Sequence, residues 1–94
     1  MVIRPFGDTN TERLSRRDPV PSIEPWIHRV APRRLRQLGS AEFLQNLRVP
    51  PGNRLELPKG DRAGQHSIRI DDQWRICFVW IDAGPEEAEI VDYH

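Results

Sequence analysis

The stretch SIRIDDQWRICFVWI, residues 67 to 81, decides the fold. Ile68 and Ile70 alternate with Ser67, Arg69 and Asp71, the period-two pattern of a half-buried strand. Asp71, Asp72 and Gln73 make a tight turn, and Trp74 to Ile81, rich in aromatic and branched side chains, reads as a second strand returning beside the first. Working outward, Arg54 to Leu57 reads as a strand that precedes this hairpin, joined to it by the loop Lys59-Gly60-Asp61-Arg62-Ala63-Gly64. On the other side, Asp82-Ala83-Gly84-Pro85 turns into a last strand from Glu87 to Tyr93. Short connections between neighbours imply an antiparallel meander of four strands.

The first half of the chain has a different period. Thr9 to Arg17 is a short helix with Leu14 as its apolar anchor, stopped by Asp18-Pro19-Val20-Pro21. Ser22 is a good N-cap, with Glu24 in the first turn and Pro25 tolerated there, so a second helix is expected from about Ile23 to Leu38. Ile23, Trp26, Ile27, Val30, Leu35 and Leu38 keep roughly helical spacing along it. Pro32 removes a backbone hydrogen bond, so a kink or a break into two helices is expected there. Gly39 caps the end, Ser40 to Leu44 adds one helical turn, and Val49-Pro50-Pro51-Gly52 is a loop. Helices followed by strands, rather than alternating with them, give an α+β domain with the helices on one face of a small antiparallel sheet. At 94 residues the chain has room for one such domain.

Alternation also says what lies on the face that the helices leave. Trp74, Ile76, Phe78 and Trp80 share one face, while Arg75, Cys77, Val79 and Ile81 share the other. With Ile68 and Ile70 on the helix side, Arg69 and Arg75 stand opposite, near Lys59 and Arg62 of the adjoining loop. Four cations around one groove outline a phosphate site. The plain alternative pairs each arginine with Asp71, Asp72 or Asp92 on a solvated face.

The net charge is zero, from fourteen basic and fourteen acidic residues, yet the layout is uneven. Arg4 to Arg36 holds eight arginines against four acids, whereas Asp71 to Asp92 holds seven acids against Arg75 alone. Thirteen of the cations are arginine, whose planar fork suits phosphate, although arginine-rich codon usage gives the same bias. The single cysteine, Cys77, lies in an apolar run and reads as a buried hydrophobe of a reduced, intracellular protein. No stretch approaches the ~20 apolar residues of a membrane span, and a soluble cytoplasmic protein is expected. His28, His66 and His94 are far apart in sequence, so no metal site and no cofactor are expected. His28 reads as a helix-surface residue and His66 as structural.

Three segments carry a resemblance: the RLEXXKGDR-like loop from Arg54 to Arg62, the SIRI-to-F hairpin from Ser67 to Phe78, and the closing VDYH, Val91 to His94. In order and spacing over about half the chain, they resemble the HigB branch of the RelE/ParE superfamily of bacterial toxins. Ile27 to Leu38 is similar to that family's second helix. The resemblance implies the RelE-like microbial ribonuclease fold and a ribosome-dependent endoribonuclease that cuts messenger RNA in the decoding site. It also implies a helix-turn-helix, HigA-like antitoxin as partner, with operator DNA bound only through that antitoxin, and no membrane.

By the same resemblance His94 transfers protons, Tyr93 shares that traffic or stacks on a base, and Asp92 orients His94 or an arginine. Lys59, Arg69 and Arg75 hold the scissile phosphate, and Arg62 and Arg54 contact RNA. In an ideal strand Tyr93 faces away from Asp92 and His94, so a bend is expected at the end of the chain. Glu56 stands where some relatives carry histidine, either as a structural residue or as an alternative base. Two other classes stay open: a ParE-like toxin that targets gyrase, and an inactive protein that only binds an antitoxin.

Overall fold

The computed structural model describes residues 6–49, 51–57, 64–82 and 84–92. Two helices, α1 (Thr9–Ser15) and α2 (Pro25–Ser40), precede a three-stranded antiparallel sheet, β1 (His66–Arg69), β2 (Trp74–Ile81) and β3 (Gly84–Asp92), in the order β1-β2-β3. The α+β architecture and the meander are as the patterning implies. The turn between β1 and β2 forms because Asp71 Oδ1 accepts from the amides of Gln73 and Trp74, at 2.9 and 2.7 Å.

α1 begins at Asp8, whose Oδ1 accepts from the Thr11 amide at 2.8 Å. It ends two residues earlier than its polar pattern suggests. Arg17 takes a left-handed φ of 64°, and the amides of Arg17 and Asp18 fold back onto the carbonyls of Leu14 and Arg13.

α2 differs from expectation at both ends and in the middle. Its N-cap is Glu24 rather than Ser22, because Ile23 belongs to a turn closed on the Val20 carbonyl, and Pro25 takes the first helical position where a missing N–H costs nothing. The helix continues through Pro32 without dividing. Ile27 and Ala31 before the proline and Leu35 and Leu38 after it are all buried in one core, and burying them together outweighs one lost hydrogen bond. Gly39 lies inside the helix, buried, and the extended Ala41 ends it.

The next helical turn is a 3₁₀ segment at Leu44–Arg48 rather than at Ser40 to Leu44, started where the Phe43 amide donates to Asn46 Oδ1 at 2.8 Å. A second 3₁₀ turn, Pro51–Asn53, stands in the expected loop. The expected strand from Arg54 to Leu57 is reduced to one bridge, Glu56 to Ser67, with both amides donating across at 3.0 and 2.8 Å. Arg54 has a positive φ of 45°, which takes the backbone out of the extended region just before the bridge.

The core collects Leu14 from α1, the α2 stripe, Leu47, and Ile68, Ile76, Phe78 and Ile90 from the sheet. The outer edge of β3 is closed rather than bare. Gly7 donates to the Ala88 carbonyl at 2.8 Å, and Ile90 donates to the fully buried Thr11 Oγ1 at 2.9 Å. A Cβ at Gly7 would stand 2.7 Å from the Glu87 carbonyl oxygen, so only glycine allows this approach. β3 also starts earlier than expected, with Gly84 already paired to Ile81, and a bulge shifts its register between Cys77 and Val79.

Candidate active site

The register makes Arg69 and Arg75 direct cross-strand partners, so both stand on the face opposite Ile68 and Ile76, as alternation predicts. Two cations directly opposed repel each other, and each here has its own carboxylate. Arg69 pairs with Asp72 in the turn, while Arg75 Nη2 lies 3.4 Å from Glu56 Oε1. The first pair is the carboxylate pairing that a solvated face would give; the second recruits an acid from outside the hairpin.

The two arginines differ in their setting. Arg69 is partly exposed, and its backbone carbonyl accepts from the Arg34 guanidinium of α2. Arg75 does not project into an open groove, contrary to the alternation-based expectation. It is 7% exposed. Its Nε donates to Ser67 Oγ at 2.9 Å, and its Nη2 donates to the Arg54 carbonyl at 2.7 Å. The reason is that this face of the sheet is itself covered, with Ser67 and Cys77 wholly buried beside the arginine. Cys77 is thus the buried small side chain that its apolar run implies. Arg75 ties the Arg54–Glu56 segment to β1, and that segment leads into the loop bearing Lys59.

Asp92 is hydrogen-bonded by Gln73 Nε2 at 3.1 Å. It pairs with Trp74 in the register and therefore starts from the helix-side face, not from the face of Arg69 and Arg75. The Asp71–Gln73 turn nevertheless joins the two groups, since Asp72 holds Arg69 and Gln73 holds Asp92. Arg54 is exposed, and its side chain is not among those gathered around Arg75; only its carbonyl is. Lys59, Arg62, Tyr93 and His94 lie outside the described residues, as does the bend expected at the end of the chain.

Arg34 is an addition that sequence reasoning passed over. It sits three residues after Ala31 and four before Leu38, an arginine on the apolar stripe of α2, and that position was the signal. Burial, and then the neighbouring Arg33, pull its guanidinium below the usual value. It remains a cation at any physiological pH.

The histidines are placed too. His28 Nε2 accepts from the Val20 amide at 2.9 Å and its Nδ1 faces the Glu24 carbonyl at 3.1 Å, so this half-buried residue of the helix surface also ties down the entry to α2. His66 stacks on Phe78 with ring centroids 6.0 Å apart, a structural setting as expected. Among the described residues no group of three or more His, Cys, Asp or Glu could hold a metal, and no helix is long and apolar enough to cross a membrane.

The sequence from residue 4 to residue 94 matches the HigB-like toxin family, described as RelE-like toxin of type II toxin-antitoxin system HigB. Toxin HigB-1 of Vibrio cholerae serotype O1 is 44% identical over 50 residues, 53% of this chain and 53% of that protein. An uncharacterized protein of Haemophilus influenzae is 29% identical over 75 residues, 80% of this chain and 64% of that protein. The matched part of the chain therefore spans between half and two thirds of the length of these relatives.

Proposed function

The chain belongs to the HigB-like family of RelE-like type II toxins, and from that premise we propose that it is a ribosome-dependent endoribonuclease acting on messenger RNA in the decoding site. Its partner is a HigA-like helix-turn-helix antitoxin, through which alone it reaches operator DNA, and it acts in the cytoplasm.

The observation that supports this reading is the meeting of two elements at one turn. The end of β3, at Asp92, and the cation Arg69 are both tied to Asp71–Gln73, so Tyr93 and His94 follow in the chain directly after a residue held by the turn that also holds Arg69. RNA cleavage by acid-base chemistry needs a base for the ribose 2′-hydroxyl, cations for the charge that builds on phosphorus, and an acid for the departing 5′-oxygen.

His94 is assigned to proton transfer, because imidazole titrates near neutral pH. Tyr93 shares that transfer or stacks on a base, and Asp92 orients them. Lys59 and Arg69 hold the scissile phosphate, with Arg62 and Arg54 on the flanking RNA. Arg75 adds positive potential from within and holds the Arg54–Glu56 segment in place. The reaction assigned to these groups uses no metal.

The test is primer extension on one defined messenger, naked and on programmed ribosomes, with the wild type and with His94→Ala. New 5′ ends that require the ribosome and fall by about 100-fold or more in the variant are expected. Intact messenger with folded wild-type protein would refute the assignment and favour a gyrase-directed or antitoxin-binding role.

A further inference from the structure

We propose that the cleft between the end of α2 and the 3₁₀ turn Leu44–Arg48 receives a basic side chain, an arginine or a lysine, from the antitoxin; this rests on the antitoxin partnership above and not on the cleavage reaction. The cleft measures about 460 Å³. Ser40 at the end of α2, Glu42 in the link that follows, and Asn46 and Asn53 from the two 3₁₀ turns supply its polar lining. The buried Leu47 and Ile68 supply the apolar part.

Asn53 is the residue that calls for an occupant. It is 5% exposed, and its Nδ2 donates to the carbonyls of Leu47 and Val49 at 3.1 and 3.3 Å, which fixes the orientation of the amide. Its Oδ1 is buried and has no donor among the described residues. An acceptor stripped of water and left unpaired is costly, so an occupant that brings an N–H to it is favoured. Val49 also lines the cleft, and its exposed side chain can swing aside to admit the donor.

The other lining groups set the charge of that donor. Glu42 is the one ionised side chain among the described lining residues; it is exposed and carries no ion pair among the described residues. Ser40 Oγ gives its own proton to the Gln37 carbonyl at 3.0 Å and so presents lone pairs. A carboxylate and two neutral oxygens suit an ammonium or a guanidinium, which donates three or five N–H groups and accepts none. Its methylene stem would lie along Leu47 and Ile68. A phosphate-bearing chain fits badly, because no cation lines the cleft and Glu42 repels it.

The surroundings are those of a protein interface. Phe43, next to Glu42 in the chain, is 64% exposed and Val49 is 73% exposed, so two large apolar side chains stand open around a slot for a cation. Apolar contacts around a desolvated arginine are how protein partners are anchored. Ile68 also puts the cleft on the helix side of the sheet, opposite Arg69 and Arg75, so its occupant is not the RNA assigned to Arg69.

The experiment reads binding in two ways. The affinity of the chain for its HigA-like antitoxin is measured by calorimetry for wild type, Glu42→Gln and Glu42→Arg, substitutions at an exposed position that leave the fold intact. A loss of roughly fivefold is expected with glutamine and of about 100-fold with arginine, where like charges meet. One arginine- or lysine-to-glutamate change in the antitoxin should restore binding to Glu42→Arg. In the second reading the side-chain amide signal of Asn53 is followed by NMR during titration with N-acetyl-arginine amide, with its neutral isostere N-acetyl-citrulline amide, and with cytidine. The signal should move with the arginine amide, with half-saturation at about millimolar concentration, and stay in place with the other two. Antitoxin affinity within about twofold of wild type for Glu42→Arg overturns the proposal, as does an Asn53 signal that ignores the arginine amide or moves equally with the citrulline amide. Movement with cytidine alone overturns it in favour of a nucleobase site. A wild type that binds the antitoxin but cuts no messenger overturns the ribonuclease reading alone.

Discussion

Replacing Ser67 by alanine removes one oxygen from a place that water does not reach. Ser67 is fully buried, and its Oγ accepts from Arg75 Nε at 2.9 Å, while Arg75 is 7% exposed. The substitution opens little space, so its cost is that of a charged donor left without its acceptor. Hydrogen bonds to charged groups contribute about 1.5–3 kcal/mol, and a loss of about 2 kcal/mol follows. Urea unfolding of a chain this small has a slope of roughly 1 kcal/mol per molar, so the midpoint should fall by about 2 M. The same change in an Arg75→Met background should cost under about 0.5 kcal/mol, because the donor is gone. A loss below about 0.5 kcal/mol in the wild-type background, or an equal loss in both, would refute the account of Arg75 as a cation held by Ser67.

Three further substitutions probe other contacts of the fold. Thr11→Val keeps the shape but strands the buried Ile90 amide, which donates to Thr11 Oγ1 at 2.9 Å, and should cost about 1–3 kcal/mol in urea unfolding, with faster hydrogen exchange along β3. Arg69→Gln should lower cleavage on ribosomes by about tenfold or more while leaving stability within about 0.5 kcal/mol, as should Asp72→Ala for stability, since that ion pair is largely solvated.

The hairpin was legible because one strand has to bury one face. Period-two alternation across Ser67 to Ile81 put the isoleucines and Phe78 inward and Arg69 and Arg75 together on the far side, and the register pairs these two arginines directly. The turn was legible for a local reason, since Asp71 satisfies its own neighbours' amides. The Arg54 to Leu57 strand was misread because the alternation of four residues says nothing of a positive φ at the first of them. The break allowed for at Pro32 does not occur because a local rule weighs one hydrogen bond, and the core weighs four buried side chains around it.

The site divides along the same line. By itself, the sequence determined which groups were available: the two hairpin arginines on one face, the acids of the turn, and the family signature that runs from residue 4 to residue 94. Only the tertiary structure decided what each arginine does. Burial is a property of what covers a face, and no pattern within β2 reveals that Ser67, the Arg54 carbonyl and Glu56 close over Arg75 while Arg69 stays at the solvent edge. These partners lie 8 to 21 residues away along the chain, so contacts that are local in space but distant in sequence turned one cation into a buried anchor and left the other partly exposed, paired with Asp72 of the turn.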